Sequence, residues 1–215
     1  MILAIDTSLG TAVAVIDRDG VVRAEAASGD PLGHAEVIGT LLRQAVDAAG
    51  APRADITHVA AGMGPGPFTG LRIGIAAARA FGLARRVPVV PVPSHDAIAL
   101  GALLAAGIED RELPPFAVVT DARRREFAYT LYDGLDDDGL PVRRAEPQLV
   151  PRGDLDARLD ELGAARLEAT AVPAAMLGLA AARALDAGRT IGPSEPLYLR
   201  SPDVTLPHAP KRVGT

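Results

Sequence analysis

Three polar residues follow the first apolar run of the chain and could carry chemistry. Asp6, Thr7 and Ser8 come directly after Ile2–Ile5, a short run that reads as a strand. A carboxylate and two hydroxyls at the end of a strand are groups that can hold Mg²⁺ and a phosphate. The same residues could instead form an Asx turn that satisfies only its own backbone. The sequence leaves both interpretations open.

The most distinctive segment is a loop rich in glycine and proline, Gly62–Gly74, between a predicted strand and a predicted helix. Backbone N–H groups at the start of a helix can bind an anion. The segment is not a P-loop, because it contains no lysine, and its glycines do not have the dinucleotide-binding spacing. A tight turn or a packing interface is the simpler interpretation, and ligand binding is the alternative.

Candidates for metal or anion binding are few. His34, His58, His95 and His208 are scattered, and each is expected to be a surface or structural histidine, so we predict no metal site. The chain has no cysteine, which excludes disulfides and thiolate sites. Arg123–Arg125 is most simply the tip of a hairpin, with contact to an anion or to RNA as the alternative.

Composition limits the class of protein. The 215 residues are 48% hydrophobic, enough for a globular core, and the formal net charge of −5 disfavours nucleic-acid binding through overall charge. The longest apolar stretch, from Ala97 to Ile108, is too short to span a bilayer. The first residues do not resemble a signal peptide. We therefore expect a cytoplasmic protein that does not contact a membrane.

Strands and helices alternate along the chain and must position these residues. A turn at Asp17–Gly20 joins two β-prone runs, and the spacing of apolar residues predicts helices over Gly33–Ala49 and Phe68–Ala84. Ser94 is expected to cap a third helix.

The second half of the chain repeats the opening pattern, since Phe116–Thr120 is an apolar run followed by Asp121 and a hairpin. We predict two α/β lobes, 1–108 and a shorter 109–200, followed by a Pro-rich basic tail at 201–215.

The helix predicted over Phe68–Ala84 is apolar nearly all round. Leu71, Ile75 and Ala78 form one stripe, and Gly70 and Gly74 lie on a neighbouring face of small residues. A helix of this kind needs burial on more than one side. We expect one side to face its own sheet and the other a second chain, with burial inside the domain as the alternative.

Four segments together resemble the TsaB (YeaZ-type) family. They are, in chain order, Ile2–Ser8, Gly64–Gly74, Asp121–Arg123 and Glu195–Arg200. The glycine-proline loop followed by Phe-Thr-Gly-x-Arg-Ile-Gly is the most specific of them. Pro67 stands where the family usually has serine.

The resemblance implies an α/β fold of the actin-like (ASKHA) type shared by hexokinase, Hsp70 and actin. Two lobes of mixed β-sheet would be flanked by helices, with the second lobe reduced. It also implies a scaffold that pairs with the catalytic paralogue TsaD in making threonylcarbamoyl-adenosine in tRNA, and that is not an enzyme itself. The implied partners are a TsaD-like subunit and a TsaE-like ATPase, with tRNA reached only through the complex and a homodimer when the chain is alone.

The resemblance also implies a four-helix interface built from the first two helices of each partner. We therefore expect the interface to contain Val37, Leu41, Leu42, Ala45, Phe68, Thr69, Gly70, Leu71, Arg72, Gly74, Ile75 and Ala78. We interpret Asp6, Thr7 and Ser8 as the vestige of a phosphate site. We expect no required cofactor, and weak binding of ADP or ATP stays open.

Two enzymatic readings are the alternatives. The catalytic paralogue, a metal-dependent transferase of the glycoprotease-like group, carries a His-x-x-x-His motif, but here only His34 is present and Ile38 stands at the second position. A small-molecule kinase of the same fold would need a complete adenosine motif in the second lobe, which the sequence lacks.

Overall fold

A computed structural model of the chain describes residues 1–30, 33–50, 52 and 55–200. The described residues form two five-stranded sheets and five α-helices. The first half contains β1 (Ile2–Asp6), β2 (Thr11–Ile16), β3 (Val22–Ser28), α1 (His34–Ala48), β4 (His58–Gly62), α2 (Phe68–Arg85), β5 (Val89–Val92) and α3 (Ser94–Ile108). The second half contains β6 (Phe116–Asp121), β7 (Glu126–Leu135), β8 (Pro141–Arg143), β9 (Gln148–Pro151), α4 (Leu155–Leu162), β10 (Ala165–Glu168) and α5 (Ala174–Asp186).

Both sheets are mixed. The first has the order β3-β2-β1-β4-β5, with β1 antiparallel to β2 and parallel to β4. In the second, the order is β10-β6-β7-β8, and β9 also pairs with β7. There β6 is parallel to β10 and antiparallel to β7. Each half therefore begins with a hairpin whose first strand also has a parallel neighbour, and the predicted repeat of the opening pattern is confirmed.

Helices cover both faces of the first sheet. Leu3, Ile5, Val13 and Val15 face α1 and α2, whereas Ile2, Ala4, Ala14 and Ile16 lie in the core shared with α3 and α5. This double burial explains why β1 and β2 are continuous apolar runs. The second sheet packs on α3 from one side and on α4 from the other.

Helix α5 comes late in the chain but packs on the first sheet. It contacts β1 and β2 as well as α3. A Cβ on Gly178 would lie 3.0 Å from Cδ1 of Ile16, and the Ala175 N–H donates to Oε1 of Glu25 on β3 at 3.2 Å. The lobe boundary at residue 108 stays a prediction, but the second half of the sequence supplies part of the core of the first sheet.

The hairpin turn at Asp17–Gly20 is confirmed, because the Asp17 N–H donates to the Val21 carbonyl at 2.9 Å. The prediction that Ser94 caps α3 is wrong. Pro93 is the capping residue, and Ser94 is the first helical residue with its hydroxyl bonded elsewhere. Short strands β8 and β9 carried no sequence signal, and the predicted tail at 201–215 lies outside the described residues. In the part of the chain that is described, no helix has the length and apolarity needed to cross a membrane.

Candidate functional site

Asp6, Thr7 and Ser8 lie at the end of β1, and all three are buried. The Ser8 N–H donates to Asp6 Oδ1 at 2.7 Å, which is the Asx turn that the sequence left open. The Ser94 hydroxyl donates to Asp6 Oδ2 at 2.5 Å, and the Thr7 hydroxyl donates to the Gly70 carbonyl at 2.7 Å. The polar atoms of this turn are therefore engaged inside the chain.

Burial raises the pKa of Asp6, and the hydrogen bonds from Ser94 and Ser8 oppose that rise. Ser94 also lies 2.8 Å from the Ser8 hydroxyl and accepts the Gly64 N–H at 3.0 Å. One serine at the start of α3 thus ties the end of β1 to the glycine-proline loop.

The glycines of the loop and of α2 allow this close packing. A Cβ on Gly62 would lie 1.8 Å from Oδ2 of Asp6, and one on Gly66 would lie 2.9 Å from Cα of Ser8. A Cβ on Gly74 would lie 2.2 Å from Oγ1 of Thr7. The small-residue face of α2 therefore packs on its own chain, and the structural interpretation of the loop accounts for most of its glycines.

A second polar cluster lies at the start of α3, between the two sheets. His95 is buried, with Nδ1 2.8 Å from the Thr130 hydroxyl and Nε2 2.9 Å from the Thr120 hydroxyl. Burial lowers the pKa of His95 to about 3. The expectation of a structural histidine is confirmed here.

The neighbouring Asp96 accepts the Tyr132 hydroxyl at 2.8 Å and lies 3.4 Å from Nε of Arg143. Burial raises the pKa of Asp96 to about 6, although the charge of Arg143 lowers it. Sequence reasoning missed this cluster. Its only signal was a Ser-His-Asp run opening an otherwise apolar helix.

A cleft of about 450 Å³ lies between the first turn of α2, the hairpin of β6 and β7, and residues 198–200. Its walls include Phe68, Thr69 and Tyr198, and His34 also lines it. Arg123–Arg125 form the hairpin tip, as predicted, and all three have positive φ angles. Asp121 lines the cleft as well, but it pairs with Arg152 at 2.8 Å.

Residues 194–200 form a strap that runs from α2 to this hairpin. The Tyr198 ring lies 4.5 Å from the Phe68 ring, and Nε of Arg72 donates to the Tyr198 hydroxyl at 3.0 Å. Arg79 donates to the Ser194 carbonyl, and Arg200 pairs with Glu126 on β7. The strap closes one side of the cleft.

The expected interface residues divide into two groups. Seven are buried in the core of their own chain, so their side chains do not form an exposed docking surface: Leu41, Ala45, Gly70, Leu71, Gly74, Ile75 and Ala78. The other five are half-buried or exposed: Val37, Leu42, Phe68, Thr69 and Arg72. Of these, Phe68 and Arg72 hold the strap.

The solvent side of α1 and α2 carries a different set of apolar atoms. A groove of about 350 Å³ between their C-terminal halves is lined by Leu42, Arg43, Val46, Phe81, Ala84 and Arg85. Leu83, which is on α2 but does not line the groove, is 82% exposed. Of the residues that line this groove, only Leu42 was expected from the sequence to be an interface residue, because a helix that is apolar nearly all round gives no direction to its faces. Among the described residues, no group of three acidic or histidine side chains could hold a metal ion.

Comparison with known proteins assigns the family. The family described as TsaD, tRNA N6-adenosine threonylcarbamoyltransferase, matches residues 17–139, more than half of the chain. This chain belongs to the TsaD family. An uncharacterized protein of Mycobacterium tuberculosis is 40% identical over 147 residues, which are 67% of this chain and 65% of that protein. A tRNA N6-adenosine threonylcarbamoyltransferase of Streptococcus uberis is 41% identical over 98 residues, which are 45% of this chain and 28% of that enzyme.

Two solved structures from Pseudomonas aeruginosa match nearly the whole chain. One is described as a protein with similarity to the peptidase YeaZ; it is 26% identical with a TM-score of 0.71, over 93% of this chain and 99% of that one. The other, YeaZ, is 24% identical with a TM-score of 0.72, over 92% and 99%. The YeaZ-type resemblance and the actin-like fold are therefore confirmed.

Proposed function

We propose that this chain is a docking subunit that pairs with a TsaD-type catalytic subunit. In that pair it supports the threonylcarbamoylation of adenosine in tRNA and does not itself transfer the group. The observation that carries the proposal is the apolar groove between α1 and α2, together with the exposed Leu83 on α2. Exposed apolar surface of this kind marks sites of protein association.

Family membership supports the reaction named in the proposal. The chain belongs to the TsaD family, and YeaZ-type structures match it along their full length. The chain spans 65% of the length of the first curated relatives it matches. The activity of the assembled complex and its partners are therefore proposals for this chain.

The end of β1 supports a role without catalysis. Asp6 accepts hydrogen bonds from Ser8 and Ser94 inside the chain, so its carboxylate is not directed at a ligand. Ile38 stands four residues after His34, at the position where the catalytic paralogue has its second histidine. Weak binding of ADP or ATP near Asp6 stays a prediction, and it would require this buried turn to open.

Further parts of the proposal concern the assembly. We propose that a TsaE-like ATPase binds the pair, that tRNA is reached only through the complex, and that the isolated chain forms a homodimer through the same two helices. The apolar groove between α1 and α2 would be covered in either pairing, since a homodimer and the pair with TsaD would compete for it. A cytoplasmic location goes with this proposal because the tRNA substrate is cytoplasmic.

The test is reconstitution of threonylcarbamoyl-adenosine on tRNA. Purified TsaD, TsaE and the adenylate-forming enzyme are assayed with and without this chain, and also with this chain in place of TsaD. We expect product only when this chain and TsaD are both present. Product that forms equally well without this chain would contradict the proposal, and product formed when it replaces TsaD would favour a catalytic transferase.

A further inference from the structure

The groove between α1 and α2 carries positive charge beside its apolar surface. Each helix contributes two apolar side chains and one arginine to the lining. The arginine is Arg43 on α1 and Arg85 on α2. Among the described residues, no carboxylate lines the groove. The groove therefore combines an apolar lining with two positive charges that no described acidic residue of its wall balances.

These two arginines are not neutralised within the described part of the chain. Arg43 and Arg85 are both exposed, and neither forms an ion pair or a side-chain hydrogen bond with another described residue. Arg72 and Arg79, also on α2, bind the strap instead. The guanidinium groups of Arg43 and Arg85 are therefore available to a partner that covers the groove.

The positive charge of α2 contrasts with the chain as a whole, whose formal net charge is −5. Helix α2 contains three arginines and no acidic residue, and Arg86 follows as its C-terminal cap. The acidic residues of α1, Glu36 and Asp47, do not line the groove. Like charges brought together at an interface disfavour a partner, and opposite charges favour one. The surface of α2 is thus suited to an acidic partner.

A second copy of this chain offers the wrong charge to the groove. In the described residues of α1 and α2, Leu83 is the large apolar side chain that is exposed, so it is the group that a second copy would insert. Arg79, four positions earlier, and Arg86, three positions later, lie beside Leu83 on the helix surface. Insertion of Leu83 would bring both of them towards Arg43 and Arg85. In a twofold-symmetric contact this like-charge approach occurs twice.

From these features we propose that Arg43 and Arg85 select the partner, a TsaD-type subunit that fills the groove with an apolar side chain flanked by carboxylates. The carboxylates pair with the two guanidinium groups. This inference rests on the docking role proposed above. A guanidinium can hold a carboxylate through two parallel hydrogen bonds, and the exclusion of water from the filled groove strengthens such pairs. The same two arginines disfavour the homodimer, so the competition between the two pairings favours the TsaD-type subunit.

The test compares two substitutions in the groove with a matched loss of charge elsewhere. Arg43→Gln and Arg85→Gln remove a guanidinium from exposed helical positions, where glutamine is nearly as good a helix former as arginine. The control Arg111→Gln removes the same charge from an exposed arginine that does not line the groove. The affinity of each full-length protein for the TsaD-type subunit is measured by calorimetry at about 0.05 M and about 0.5 M NaCl.

At low salt we expect Arg43→Gln and Arg85→Gln each to weaken docking about fivefold and Arg111→Gln to bind like the wild type. High salt should reduce the difference between the groove variants and the wild type, because it screens ion pairs at the rim of a groove. Self-association, measured by analytical ultracentrifugation, should not weaken in either groove variant, because each substitution removes a like-charge contact. Opposite effects on the two pairings separate an ion pair from a general loss of packing.

Docking of both groove variants with wild-type affinity at both salt concentrations would overturn the inference. So would a loss of affinity that salt does not change, that the control shares, or that self-association follows in parallel. Displacement of the TsaD-type subunit by tRNA from the wild type, but not from the groove variants, would assign the two arginines to RNA instead. Absence of binding by the wild type itself would contradict the docking role, so the two failures are distinguishable.

Discussion

The buried His95 makes a specific prediction about pH. Its pKa is about 3 in the folded chain, against about 6.5 in an unfolded chain, because burial disfavours the imidazolium. Below pH 6.5 the unfolded chain takes up a proton at this residue and the folded chain does not. His95 therefore contributes stability that is present above pH 6.5 and is lost as the pH falls towards 3.

His95 alone lowers the free energy of unfolding by about 2 kcal/mol between pH 7 and pH 5, and we expect His95→Gln to lack this decrease. Urea unfolding at the two pH values measures the difference between wild type and variant. Asp96, whose pKa is about 6 in the folded chain, has the opposite effect on stability in both proteins. The folded chain takes up a proton there at a higher pH than the unfolded chain does. Equal pH dependence in the two proteins would contradict the neutral, buried state of His95.

Gly74 makes a prediction about packing. A Cβ there would lie 2.2 Å from the Thr7 hydroxyl oxygen, so Gly74→Ala must shift α2 or the turn after β1. We expect a loss of about 2 kcal/mol in unfolding free energy or more. The matched control is Gly39→Ala on α1, where no atom lies within 4 Å, and a gain of about 1 kcal/mol is expected there from helix propensity. Denaturant titration of both variants measures the change in the free energy of unfolding. An unchanged value in Gly74→Ala would contradict the packing.

At the scale of the element, helix α2 shows what sequence could and could not predict. The spacing of apolar residues predicted a helix over Phe68–Ala84, and the observed helix, Phe68–Arg85, agrees with it. Its orientation did not follow, because a helix apolar all round gives no direction to its faces. The Asx turn at Asp6 and the hairpin at Arg123–Arg125 were predictable from local chemistry. The contacts of Ser94 and Tyr198 join distant segments and left no local pattern.

The strap contributes a prediction of its own. Tyr198 packs on Phe68 and accepts a hydrogen bond from Arg72, while the Leu197 N–H donates to the Met63 carbonyl at 2.8 Å. We expect Tyr198→Ala to cost about 2 kcal/mol, because it removes a half-buried ring, and Tyr198→Phe to cost about 1 kcal/mol. Hydrogen exchange at Leu197 should accelerate strongly in the alanine variant alone. Unchanged protection there would contradict the role of Tyr198 in holding the strap.

At the scale of the whole molecule, the two sheets share one core. Residues of β1, β2, α3, β6, β7 and α5 belong to the same buried cluster. Helix α5 covers the first sheet, and Arg18 pairs with Asp186 at its end. The sequence predicted two halves because each opens with the same strand and hairpin. It gave no sign that the last helix returns to the first sheet, since that contact depends on the assembled fold.

A shared core predicts that the two sheets unfold together. We expect a single calorimetric transition, with a van't Hoff enthalpy equal to the calorimetric one. Two separated transitions, or amides of the second sheet exchanging well before those of the first, would contradict the shared core.

The central claim is that the solvent side of α1 and α2 is the docking surface for a TsaD-type subunit. The most direct measurement is the affinity of that subunit, by calorimetry, for the wild type, Leu83→Lys and Ile108→Lys. Leu83 and Ile108 are both highly exposed aliphatic residues near the C-terminus of a helix, at 82% and 87% exposure, but only Leu83 belongs to α2, one of the two helices of the proposed docking surface. We predict that Leu83→Lys weakens binding by about 2 kcal/mol, or roughly thirtyfold, because it loses the burial of one leucine. Ile108→Lys should bind like the wild type. Equal affinity of all three proteins, or weakening by Ile108→Lys alone, would contradict the account.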